Sequence, residues 1–65
     1  MKIYVNAQPF EITAATLAAA LDELGFASSA TATALNGQFV AYERRGDTPL
    51  AEGDRLEVLA PMQGG

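Results

Sequence analysis

The amino-acid sequence predicts an α+β domain, a mixed sheet of four or five short strands with one helix across one face. Three observations carry that expectation. Segments at both ends of the chain alternate apolar and polar residues with the period of two that marks half-buried strands. One segment, Leu17 to Leu24, shifts to helical spacing. Turn signals at Asn36-Gly37 and Glu52-Gly53-Asp54 divide the remainder into short strands.

Each element follows in order. From Met1 to Asn6, Ile3 and Val5 fall on one side and Lys2, Tyr4 and Asn6 on the other. Asn6-Ala7-Gln8-Pro9 is a tight turn without the stronger Asn-Gly signature, and Phe10 and Ile12 then point inward from a second strand. Together they form a hairpin. At Thr16 the period changes, with Leu17, Ala20, Leu21 and Leu24 at i, i+3, i+4 and i+7. Thr16 is the N-cap and Gly25 the left-handed stop, while Asp22 and Glu23 face water. Phe26 to Ala30 is a surface connection, and Thr31 to Leu35 is a strand of modest propensity because alanine is a poor strand former. Asn36-Gly37 turns the chain into the apolar pair Phe39-Val40. Tyr42 to Pro49 is a charged, turn-rich loop, with Leu50 as a core plug beneath it. Arg55 to Leu59 is the last strand, Leu56 and Val58 inward, and Pro61 blocks further pairing. With the first and last strands as parallel central neighbours, this order is the β-grasp, or ubiquitin-like, plan, with a domain over 1–60 and a flexible tail over 61–65.

Composition excludes several functions. The 65 residues allow one small domain with a thin stability margin. Such a core leaves no room for a deep substrate cavity, since a pocket of about 300 Å³ or more would empty it. With neither Cys nor His, the chain has no thiolate, no cysteine metal site, no usual general base and no common metal ligand. Net charge is −4, and only Lys2, Arg44, Arg45 and Arg55 are basic, so no basic stripe exists for nucleic acid or for an anionic membrane. No signal peptide and no run of roughly 20 apolar residues is present. The expectation is a cytoplasmic protein. Ser28 and Ser29 have no base to activate them, and Asp22/Glu23 and Glu52/Asp54 read as solvated charges and turn residues.

The end of the chain carries the remaining signal. At an average glycine usage of about 7%, two final glycines arise by chance in roughly half a percent of chains. Pro61 detaches the tail, and Pro61 to Gly65 holds no charge and no branched side chain. Five extended residues reach at most about 17 Å. Such a tail can thread a channel where a Cβ would clash, which makes Met62, Gln63 and Gly64 access residues and the Gly65 carboxylate the reactive group.

These features resemble the ThiS family of sulfur-carrier proteins of thiamine biosynthesis. The likeness rests on Thr16-Leu17 leading a helix that ends Leu24-Gly25, on Ala34-Leu35-Asn36-Gly37 followed by Phe39-Val40, on Leu50-Ala51-Glu52-Gly53-Asp54-Arg55, and on Gln63-Gly64-Gly65. It covers nearly the whole chain, and its specificity lies in the combination. Two departures stand out. The family often has Pro-Arg where Ala41-Tyr42 stand here, and Ala60-Pro61 is similar to the small subunit of molybdopterin synthase, a typically longer protein.

The resemblance implies a β-grasp protein that is a co-substrate and not an enzyme. An E1-like, ThiF-type adenylyltransferase would use ATP and magnesium to adenylate Gly65. A persulfide protein would supply sulfur, and a ThiG-type thiazole synthase would take it from the resulting thiocarboxylate. The chain itself would bind no cofactor. Leu59, Phe39 and Met62 are candidate docking side chains, steered by Glu52, Asp54 and Glu57; the opposing expectation is that Leu59 and Phe39 finish the core. A molybdopterin-synthase small subunit, another ubiquitin-like sulfur carrier, or a non-catalytic ubiquitin-like binding module are the alternative functions.

Overall fold

The computed structural model of the chain describes residues 1–27 and 29–59. In order, the elements are β1 (Lys2–Val5), β2 (Gln8–Glu11), α1 (Leu17–Leu24), β3 (Ala32–Leu35), β4 (Gln38–Val40), a 3-10 helix (Tyr42–Asp47) and β5 (Arg55–Leu59). The five strands form one mixed sheet in the order β2-β1-β5-β3-β4, with the β1–β5 pair parallel and the other pairs antiparallel. The predicted plan therefore holds, parallel central pair included.

The core follows from the alternation. Ile3 and Val5 of β1, Leu56 and Val58 of β5, and Ile12 just beyond β2 meet Leu17, Ala20 and Leu21 of α1, and all are buried. Leu50 plugs the same core from its loop. Thr16 caps α1 by accepting a hydrogen bond from the Ala19 N–H at 3.3 Å, and Gly25 ends it at φ 85°. Phe10 lies opposite Ile3 on the inner face, as expected, but β2 is an edge strand, so the ring is only partly covered.

Pro9 fits that edge without loss. Met1 and Ile12 exchange hydrogen bonds at 2.8 and 2.9 Å, which sets the alternation of the β1–β2 ladder and turns the Pro9 nitrogen away from β1.

Three expectations are corrected. The charged segment after Val40 is not a plain loop, because Tyr42–Asp47 winds into a 3-10 helix that lies beside α1 and buries Arg45. Arg45 Nη2 donates to the Thr31 carbonyl at 2.6 Å and its Nε to Thr33 Oγ1 at 3.2 Å, and its guanidinium lies 5.2 Å from the Tyr42 ring centre. Glu23 is exposed but not merely solvated. It accepts from the Thr13 and Ala14 N–H groups and from Thr13 Oγ1, at 3.1–3.2 Å, and so ties the β2–α1 connection to the helix. Phe39 and Leu59 do not finish the core, being 72% and 68% exposed.

Candidate functional site

Strand β5 is the element that leads toward the glycine tail, and its neighbours decide what surrounds that exit. Inward-pointing Leu56 and Val58 bury, so Arg55, Glu57 and Leu59 project onto the open face of the sheet, away from α1. On β3 and β4 the register puts Ala32 beside Leu59 and Phe39 beside Ala34. Phe39, Leu59, Glu57, Ala32, Ala34 and Asn6 thus line one hollow of about 170 Å³. Two large apolar side chains thus stand together on a sheet face with a carboxylate at the margin, the make-up that interface cores share.

The other predicted residues distribute unevenly. Glu57 shares the hollow, but Glu52 and Asp54 lie in the turn before β5, at its opposite end. There they serve the backbone: Glu52 Oε1 accepts from the Lys2 N–H at 3.1 Å and Asp54 Oδ2 from the Ala51 N–H at 2.8 Å. Met62, Gln63, Gly64 and Gly65, with the 61–65 tail as a whole, fall outside the described residues.

Sequence reasoning missed how β5 is held. Asn6 and Asn36 each open a two-residue hairpin turn, at φ 50° and 51°. Asparagine tolerates that left-handed conformation, and from sequence alone both positions read as turn residues. Their side chains do more. The Arg55 N–H donates to Asn36 Oδ1 at 2.9 Å, and the Asn36 N–H donates to the Arg55 carbonyl at 2.7 Å. At the far end the Val58 N–H donates to Asn6 Oδ1 at 2.9 Å, and Asn6 Nδ2 returns a bond to the Val58 carbonyl at 3.2 Å. No single-sequence signal distinguishes such a clamp from an ordinary turn asparagine.

A larger surface groove of about 520 Å³ runs between α1 and the 3-10 helix, lined by Ala18, Ala19, Asp22, Ala27, Tyr42 and Glu43 among others. Among the described residues no helix is long and apolar enough to cross a membrane.

One helix across a mixed five-stranded sheet, with an exposed apolar face beside the end of its central strand, defines a β-grasp domain of the ubiquitin-like class. Comparison with known proteins narrows the class. The profile of the ThiS family matches residues 3–65. The sulfur carrier protein ThiS of Thermus thermophilus is 35% identical over 63 residues, covering 97% of this chain and 98% of that protein. The crystal structure of the thiamine biosynthesis protein ThiS from Geobacter metallireducens superposes with a TM-score of 0.82 at 29% identity, each chain fully covered. A solution structure of a thiamine biosynthesis protein from the same organism gives 0.79 at 29% identity, over all of this chain and 88% of that one. The chain belongs to the ThiS family, the sulfur carriers of thiamine biosynthesis. Membership carries with it interaction with partner enzymes of sulfur transfer.

Proposed function

We propose that this chain carries sulfur as a thiocarboxylate on Gly65 and delivers it for thiazole formation. The observation that carries the reading is the family match, which spans residues 3–65 and so includes Gly64-Gly65. In the first step a ThiF-type adenylyltransferase, with ATP and magnesium, joins the Gly65 carboxylate to AMP and releases pyrophosphate. This converts an unreactive anion into an acyl group with a good leaving group. The terminal sulfur of a persulfide donor then attacks the carbonyl and AMP departs. A thiol cleaves the remaining S–S bond, forming a disulfide with the donor and leaving the thiocarboxylate. A ThiG-type thiazole synthase takes the sulfur.

In this scheme the chain is a co-substrate. The activating groups, the nucleotide and the metal belong to its partners, in keeping with a sequence that has no Cys and no His. Leu59 and Phe39 dock the partner beside the tail, with Glu57 at the margin of the contact, and Met62, Gln63 and Gly64 carry the carboxylate into the partner's channel.

The test is direct. The chain is incubated with its activating enzyme, ATP and a persulfide donor, and then measured by intact-protein mass spectrometry. The expected result is the mass gain of one oxygen replaced by sulfur, located at Gly65 by fragmentation. A chain lacking Gly65 should fold and stay unchanged in mass; sulfur acquired by that truncated chain would refute the assignment.

A further inference from the structure

We propose that Asn6 is a positioning residue for sulfur transfer, acting as a surrogate strand residue that holds β5 in place at Val58, just ahead of Leu59. The inference rests on the thiocarboxylate reading above and adds to it a residue far from the tail in sequence.

The argument begins with the β1–β5 ladder. In that parallel pair the Tyr4 N–H donates to the Asp54 carbonyl and the Asn6 N–H to the Leu56 carbonyl, both at 2.9 Å. Asp54, just ahead of β5, and Leu56 and Val58 within it therefore aim their backbone groups at β1. The next rung would require β1 to continue past Asn6 and face Val58. It cannot, because the chain reverses at Asn6-Ala7 to enter β2. Val58 would be left with an unmatched N–H and carbonyl at the point where β5 approaches its end at Leu59.

The Asn6 side chain supplies the missing rung. A carboxamide has the donor and the acceptor of a peptide group, and both are used, the oxygen toward the Val58 N–H and the nitrogen toward the Val58 carbonyl. One residue thus makes the turn and continues the ladder. Six residues separate Leu59 from the end of the Gly65 carboxylate, counting Gly65 itself. An error at Val58 shifts Leu59 within the hollow it shares with Phe39, and so shifts the origin from which those six residues must reach the partner's site. A misplacement of about 1 Å at reacting atoms costs on the order of a hundredfold in rate. As a fraction of that limit, loss of the clamp should slow adenylation about tenfold.

The experiment compares wild type with Asn6→Gly, which removes the amide while keeping a residue at ease in the left-handed turn. Ala7→Gly serves as a control that alters the same turn and leaves the clamp intact. Adenylation by the ThiF-type enzyme is followed by pyrophosphate release, and amide hydrogen exchange is read at Val58, with Tyr4 as internal reference. The expected result for Asn6→Gly is a kcat about tenfold lower, a KM within about twofold of wild type, and exchange accelerated at Val58 but not at Tyr4. Ala7→Gly should match wild type in kcat. If Asn6→Gly melts below the assay temperature, Asn6→Asp carries the kcat and KM comparison, since it loses the donor to the Val58 carbonyl while still accepting from the Val58 N–H, whose exchange should then stay near wild type.

An unchanged kcat for the folded variant overturns the proposal. So does a loss confined to KM, which would make Asn6 a docking contact in the hollow it shares with Phe39 and Leu59. Failure of the wild-type chain to be adenylated would refute the thiocarboxylate reading instead. The clamp itself would still be judged by exchange at Val58, which needs no partner.

Discussion

Replacing Arg45 by alanine should destabilise this domain by about 2–4 kcal/mol, and the estimate can be built from its contacts. Arg45 is 3% exposed, although it sits in a segment otherwise turned to solvent. Its guanidinium donates to the Thr31 carbonyl and to Thr33 Oγ1, and hydrogen bonds to charged groups contribute about 1.5–3 kcal/mol each. The Tyr42 ring adds about 0.5–1 kcal/mol. Desolvation of the buried charge offsets part of that total. Thr33 keeps its own bond to the Val40 carbonyl at 3.0 Å, so its hydroxyl is not stranded. What remains is a few kcal/mol, against a total stability of about 3–10 kcal/mol for a chain this size. Arg45→Lys keeps the aliphatic stem and one charged donor but not the planar fork, and should cost about 1–2 kcal/mol. Urea titration with a common m value measures both. An alanine variant within 0.5 kcal/mol of wild type, an order-of-magnitude bound for surface substitutions, would mean that the guanidinium does not fasten the 3-10 helix to β3.

Four further outcomes are expected. Leu21→Ala, at a side chain only 1% exposed, should cost about 2–5 kcal/mol and leave the domain close to unfolding in a thermal melt. Ala7 adopts φ 70°, so Ala7→Gly should stabilise by about 0.5–1 kcal/mol, read as a rise of a few degrees in Tm; a lower Tm would show that the turn holds no strain. The double variant Phe39→Ser/Leu59→Ser removes exposed apolar surface and should leave Tm nearly unchanged while weakening binding to the activating enzyme at least tenfold in a titration, since paired hot spots are worth about 2 kcal/mol or more each. Gly64→Ala should slow thiocarboxylate formation on the order of a hundredfold by mass spectrometry, because a methyl group in a narrow channel displaces the reacting carboxylate; a normal rate would remove the channel from the scheme.

Legibility followed the range of the interaction involved. Ile3 and Val5, the Leu17–Leu21 stripe, the Thr16 cap and the Gly25 stop depend on neighbours within a few positions, and each stands where period and propensity place it. The Tyr42–Asp47 helix was hidden because six residues of tight helix show no usable period, and the residue that anchors it reaches across to Thr31 and Thr33. Glu23 was legible as exposed but not as a staple, since its partners lie on another segment. Phe39 and Leu59 were ambiguous for a related reason. An apolar residue in a short strand faces the core or the open side according to register, and register here is set by pairing between β3, β4 and β5. The candidate site is therefore half a local pattern, the Gly64-Gly65 ending, and half a consequence of how three strands align.

The orientation of Pro9 bears on how these molecules meet one another. A strand that approached the free rim of β2 would need an amide hydrogen at position 9, and proline has none to offer. The sheet therefore cannot be extended in full register from that side. The opposite rim is a strand of three residues, Gln38–Val40, too short to template a long partner. For the function proposed above this would be an advantage: the exposed sheet would meet its partners by its face, while both of its rims resist growth into a fibre or a chain of copies.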